Sequence, residues 1–204
     1  MIPHPGSVFV VSAPSGAGKS TLAQRLVHSL PGLIFSISFT TRKPRPGEVD
    51  GRDYFFISDE RFDEMVARGG FVEWVEVYGR RYGTGRAWLE GVLASGCDVL
   101  LDIETTGARN LREAIPDACM IFVLPPSAEA LEARLRSRGK DSDEQIRIRL
   151  GHARHELEQY HAYDYLVLND DLDLAYRSFE GIVLAARARR ERMAGVAQGI
   201  LQGF

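Results

Sequence analysis

The 204-residue chain is poor in cysteine, with only Cys97 and Cys119, each beside or within an apolar run. Two such thiols read as core residues of a reducing compartment, not as a disulfide framework. Neither has a second Cys or His at ligand spacing, which argues against a zinc site. No run of about 18 apolar residues occurs, so no membrane span is expected. Met1-Ile2-Pro3-His4-Pro5-Gly6 offers neither the basic nor the apolar region of a secretory signal, and a cytoplasmic location is expected. A large charge of one sign is missing too. The 25 Lys and Arg against 28 Asp and Glu leave −3, which argues against a general nucleic-acid or membrane-surface binder. There is no internal repeat and no low-complexity linker. The length suits one α/β core with a small inserted lobe.

What is present is one dense motif. Ala13-Pro14-Ser15-Gly16-Ala17-Gly18-Lys19-Ser20 follows the apolar run Val8-Phe9-Val10-Val11 and precedes Leu22, Leu26 and Leu30 at helical spacing. Strand, glycine-rich turn and helix are the context of a phosphate-binding loop. Its glycines let successive N–H groups point inward as an anion nest, and the helix adds the positive end of its dipole. Lys19 reaches outer phosphates as a point charge, and the Ser20 hydroxyl suits Mg2+. A nucleoside triphosphate ligand follows. Ala13 stands where the usual pattern opens with Gly.

Beyond the first helix, Leu33 to Phe39 is expected to form a strand, and Asp53 to Ile57 another. Between them Lys43-Pro44-Arg45-Pro46-Gly47-Glu48 forbids regular structure. Ser58 or Asp59 caps a short helix, Phe71 to Val77 reads as a half-buried strand, and Tyr78 to Gly85 as a glycine-punctuated loop. Residues 40–85 thus read as a partly β insertion. Alternation then resumes: a helix over Arg86 to Ser95, and a strand over Asp98 to Leu101 delivering Asp102 and Glu104. Thr105 or Thr106 is expected to cap the next helix. Met120 to Leu124 is a strand, and Ser127 caps a helix. Ser142 and Gln145 form a capping box, Tyr165 to Leu168 is the last strand, and one helix closes the chain over 172–193. Continuously apolar strands separated by helices mean a parallel sheet covered on both faces.

Arginines decide what happens to the triphosphate. Arg134 and Arg138 share a helical face, and Arg149 follows on the facing helix; three guanidiniums on a short hairpin suit a lid that closes on a polyphosphate. Six basic residues lie between Arg134 and Arg149. A further cluster, Arg187 to Arg192, reads as a solvated helix end. Arg42 and Arg45 flank a rigid proline, with Tyr54 and Tyr82 as hydroxyl donors, and suit the phosphate of an acceptor. Glu73 is either an exposed strand carboxylate or an acceptor for two N–H groups of a base such as guanine. Asp102, ending a buried strand, suits magnesium through water.

These residues carry a resemblance. Val11 to Ser20, Thr40-Thr41-Arg42-Lys43-Pro44-Arg45-Pro46-Gly47-Glu48, Asp53-Tyr54-Phe55-Phe56, Tyr82-Gly83-Thr84, Leu101-Asp102-Ile103, Phe122 to Ser127, Arg138-Gly139 and Asn169-Asp170-Asp171 are similar to bacterial guanylate kinases, over Val10 to Asp171. An Ala in the place of Ala13 is usual in that family. The resemblance implies an α/β P-loop three-layer fold with a central parallel sheet. It implies a core of residues 1–38, 86–136 and 151–204, a GMP-binding lobe of 39–85 and a small helical lid of 137–150. It implies Mg-dependent transfer from ATP to GMP. Lys19, Arg42, Arg138 and Arg149 would be catalytic, with Ala13 to Ser20 (Ala13, Pro14, Ser15, Gly16, Ala17, Gly18, Lys19, Ser20) and Arg134 on the ATP side. Ser38, Arg42, Arg45, Tyr54, Glu73, Tyr82, Thr84 and Glu104 would bind GMP, and Ser20 and Asp102 would serve the metal. Small-molecule substrates are the expected partners, without nucleic acid or membrane, and a homo-oligomer is left open. One local departure stands out. Where the family usually reads Asp-Ile-Asp and, further on, Gln-Gly, this chain has Asp102-Ile103-Glu104-Thr105-Thr106-Gly107. Guanine specificity is expected to survive, with some change in GMP affinity. The rivals are a related kinase acting on a ribose bisphosphate and a non-catalytic interaction domain of guanylate-kinase type.

Overall fold

Strand β1 (Val8–Ser12) is buried along its whole length and sits at the centre of a five-stranded sheet. The computed structural model describes residues 6–77, 79–137 and 142–204. Around β1 lie β2 (Leu33–Phe35), β7 (Asp98–Asp102), β8 (Cys119–Leu124) and β9 (Tyr165–Leu168), in the order β2-β7-β1-β8-β9. Every pairing in this sheet is parallel. A strand apolar at every position still alternates its side chains between two faces. Phe9 and Val11 pack with Leu22 and Leu26 of α1 (Lys19–Ser29) and with Phe179 and Val183 of α7 (Leu172–Arg187). Val8 and Val10 point the other way, onto Leu89 of α3 (Arg86–Ala94) and Leu111 of α4 (Thr105–Ala114). Three layers result, and each fully buried Leu or Phe contributes about 1.5–3 kcal/mol of apolar burial.

Residues 39–85 build a second sheet. β3 (Phe39–Thr40), β4 (Phe55–Phe56), β5 (Phe71–Val77) and β6 (Arg80–Gly85) run in the order β4-β3-β6-β5, with β6 antiparallel to both neighbours. Two expectations change here. Leu33 to Phe39 is not one strand: β2 stops at Phe35, and Phe39 has crossed into the second sheet. The glycine-punctuated segment before α3 is a strand from Arg80 onward, while Tyr78 lies outside the described residues. Gly83 and Gly85 are close-approach positions. A Cβ on Gly83 would lie 2.8 Å from the Phe71 ring, and one on Gly85 2.7 Å from the Phe39 ring. Glycine inside a strand admits a neighbouring ring, and here the stacked pairs Phe39–Phe55 and Phe62–Phe71 meet edge to face through Phe39 and Phe71 in one aromatic cluster. Phe62 comes from α2 (Asp59–Ala67), whose Ser58 cap accepts from the Arg61 N–H at 3.2 Å.

α5 (Ala128–Ser137) and α6 (Asp143–Leu157) pack on one another through Leu131, Leu135 and Ala153. The Ser142 capping box forms, and Ser127 caps α5 by accepting from the Ala130 N–H. The cap of α4 is Glu104 rather than either threonine, and its side chain makes no capping bond. The single closing helix is two: α7 ends at Arg187, and α8 runs Arg190–Leu201. The break has a cause. Asp98, 1% exposed at the start of β7, accepts from Arg187 Nε at 2.7 Å and from the Ser7 N–H at 2.7 Å. Arg192 reaches the same carboxylate at 2.7 Å. A buried carboxylate needs partners. Arg187 and Arg192 are therefore anchors under the sheet, not a solvated helix end.

Candidate active site

The phosphate-type loop joins β1 to α1 and is held from behind. Gly18 caps α1 with φ 93°, and a Cβ there would lie 2.3 Å from Asn169 Nδ2. Only glycine meets both conditions. Asn169, 4% exposed at the end of β9, donates from Nδ2 to the Ala17 carbonyl at 2.7 Å. Arg134 donates to the Asn169 carbonyl at 2.9 Å and to that of Ala17 at 3.5 Å. With the Ala17 carbonyl tied outward, the loop borders a cleft of about 250 Å3 lined by Ala13 to Gly16, Gly18 to Thr21, Glu104 and Glu156.

A second cleft of about 310 Å3 opens on the other side of Lys19 and Ser20, between the two sheets. It brings together Lys19, Ser20, Ser38, Tyr54, Glu73, Tyr82, Asp102 and Glu104. Lys19 pairs with Asp102, and the Ser20 hydroxyl lies 3.4 Å from the other oxygen of the same carboxylate. Glu104 lines both clefts. Glu73 is buried on β5, only 6% exposed, which rules out an exposed strand carboxylate. Its Oε1 accepts from the Thr84 hydroxyl at 2.6 Å. Burial pushes its carboxyl up to about 7, against the opposing pull of the Thr84 bonds.

The arginines separate by partner. Arg136 pairs with Glu132 and Asp143, and Arg147 with Glu144, so these are helix-surface charges. Arg149 instead donates to the Ser15 hydroxyl at 2.6 Å, which places it on the loop. Arg138 lies outside the described residues. Arg42 packs 5.2 Å from the Tyr54 ring centroid, and Tyr54 and Tyr82 stand 6.0 Å apart. Arg45 is the predicted residue not drawn in: it is exposed, and only its main chain joins this group.

Two residues and one role escaped the sequence reading. Asn169 ends a parallel strand, which by itself puts it near the loop, but its role as a strut needs the folded contact. Glu48 closed the Arg-Pro-Arg-Pro-Gly-Glu stretch and binds Arg42 through both oxygens. Glu156 lies two turns beyond Arg149, a spacing that could have flagged it. Burial, reinforced by the charge of Glu104, raises its carboxyl, and the Ser15 N–H opposes this.

A phosphate-type loop at the carboxyl end of a parallel sheet, beside a second cleft with a buried carboxylate, has the architecture of a P-loop phosphotransferase. A family model described as guanylate kinase matches residues 6–186. The chain is 50% identical over 192 residues to a guanylate kinase of Rhodopseudomonas palustris, covering 94% of this chain and 87% of that protein. It is 49% identical to one of Bradyrhizobium diazoefficiens, over 97% and 94% of the two chains. The crystal structure of guanylate kinase from Anaplasma phagocytophilum matches with TM-score 0.76 and 31% identity, over 94% of this chain and 92% of that one. The chain belongs to the guanylate kinase family and is a kinase.

Proposed function

We propose that the protein transfers the terminal phosphoryl group of ATP to the phosphate of GMP, giving ADP and GDP, with Mg2+. The observation that carries this is Glu73: a buried carboxylate braced by Thr84, in the same cleft as Lys19 and Asp102. In its ionised form it accepts two N–H bonds, the pattern that guanine N1 and N2 present and adenine does not. Ser38 lines the same wall, and Glu104 is the second acid within reach of the base. The acceptor phosphate is assigned to Arg42, Tyr54 and Tyr82, with Arg45 recruited from its exposed position.

On the donor side, the N–H groups of the loop and the start of α1 hold the phosphates, and Arg134 keeps the loop in shape. Lys19 and Arg149 stabilise charge on the transferring group, joined by Arg138 of the lid assigned to residues 137–150. Attack is in line and direct. The acceptor oxygen is already anionic, so no general base is required. Ser20 and Asp102 are hard oxygen donors that fit Mg2+, which neutralises phosphate charge when bound. The lobe of residues 39–85 closes toward the core and excludes water. No helix among the described residues is long and apolar enough to cross a membrane, and the reading places the enzyme in the cytoplasm.

Measuring ADP formation from ATP and Mg2+ with GMP, dGMP, AMP and a ribose bisphosphate in parallel tests the reading. Turnover with the guanine nucleotides alone is expected. Turnover only with the sugar phosphate would move the acceptor assignment, and none at all would favour a non-catalytic binding module.

A further inference from the structure

Arg42 is more tightly held than an anion-binding arginine needs to be. Its Nη1 and Nη2 each donate to one oxygen of Glu48 at 2.9 Å, and Nη1 also donates to the Lys43 carbonyl at 2.9 Å. The same carboxylate accepts from the Arg45 main-chain N–H at 2.7 Å, while the Glu48 N–H donates back to the Arg45 carbonyl at 3.0 Å. The ion pair is largely sheltered, at 13% and 20% side-chain exposure, and the guanidinium lies beside the rings of Tyr54 and Phe56. Pro44 and Pro46 stiffen the intervening chain. Hydrogen bonding from Arg42 holds the Glu48 carboxyl down at about 2, so it stays charged at any working pH.

A bidentate carboxylate uses the end-on face of a guanidinium and leaves the side-on face, formed by Nε–H and the outer Nη2 proton, for a second anion. We propose that Glu48 is the positioning residue of the acceptor-phosphate pocket: it locks Arg42 end-on and folds the Arg45 main chain, so that the side-on face of Arg42 is presented to the incoming phosphate. This rests on the acceptor reading above. Glu48 itself touches no substrate. Its effect is to remove beforehand the rotamer freedom that Arg42 would otherwise lose on binding.

The test compares the wild type with Glu48→Gln and Glu48→Asp, by calorimetric binding of GMP and of guanosine and by steady-state kinetics. Guanosine carries the base and sugar without the phosphate. In Glu48→Gln, the GMP Kd and KM are expected to rise about tenfold or more, the loss of one charge-assisted pair. Guanosine binding, KM for ATP and kcat should stay near wild type, and Glu48→Asp should recover part of the loss. GMP bound by Glu48→Gln as tightly as by wild type, or more tightly, would overturn the proposal and make Glu48 a counter-ion that phosphate displaces. Equal losses for GMP and guanosine would also overturn it, as general loosening of the lobe. A wild type that binds GMP no better than guanosine would remove the acceptor reading itself, and the proposal with it.

Discussion

Replacing Glu73 by Gln should make the protein more stable above neutral pH while damaging guanine recognition. The carboxyl sits at about 7 in the folded chain against 4.5 for the free group, because burial disfavours its charge. Between those values the folded state binds more protons than the unfolded one, so stability falls as pH rises through the window. At 1.36 kcal/mol per pH unit, the ionised side chain costs about 3 kcal/mol once pH exceeds about 7, and nothing below about 4.5. Gln cannot ionise, yet its amide oxygen can still accept the Thr84 hydroxyl that Glu73 accepts at 2.6 Å. Denaturant unfolding from pH 5 to 8.5 should therefore give curves that nearly meet at the acid end and diverge to about 3 kcal/mol at the alkaline end. In a chain of this size that corresponds to about 6–12 °C in Tm. Taking the difference between the two proteins cancels the other shifted carboxyls, among them Glu48 and Glu156. Parallel stability curves would refute the buried-charge account. Guanine N–H donors select the ionised form, so wild-type GMP affinity should weaken as pH falls below about 7. The Gln variant should bind GMP poorly at every pH.

Three further outcomes are expected. Glu104→Asp shortens a side chain that lines both clefts, and should shift the KM for GMP and the discrimination against AMP in steady-state assays. Unchanged values would remove residue 104 from base reading. Asp98→Asn leaves Arg187 and Arg192 without their buried counter-charge and should lower stability by about 3–5 kcal/mol, read as a fall in Tm with earlier proteolysis of α8. Gly85→Ala forces a Cβ against the Phe39 ring at 2.7 Å and should cost about 1–3 kcal/mol, seen in thermal unfolding, without weakening ATP-analogue binding to the loop.

The phosphate-type loop, the parallel sheet and the helix caps at Ser127 and Ser142 were legible in the residues, because each is written in local patterns of glycine, apolar runs and hydroxyl caps. The same logic misled at Gly83 and Gly85. Locally they punctuate, but in space they make room for Phe71 and Phe39, whose approach no local rule contains. Arg187 and Arg192 looked like solvated charge because Asp98 lies far away in sequence and meets them only under the folded sheet. For Glu73, residue type and spacing left two readings open, and burial among the strands of the second sheet excluded the exposed one. Chemistry that depends on a residue and its near neighbours is fixed by sequence. A raised carboxyl or a loop braced by Asn169 depends on desolvation and contact between distant segments, and those exist only once the chain has folded.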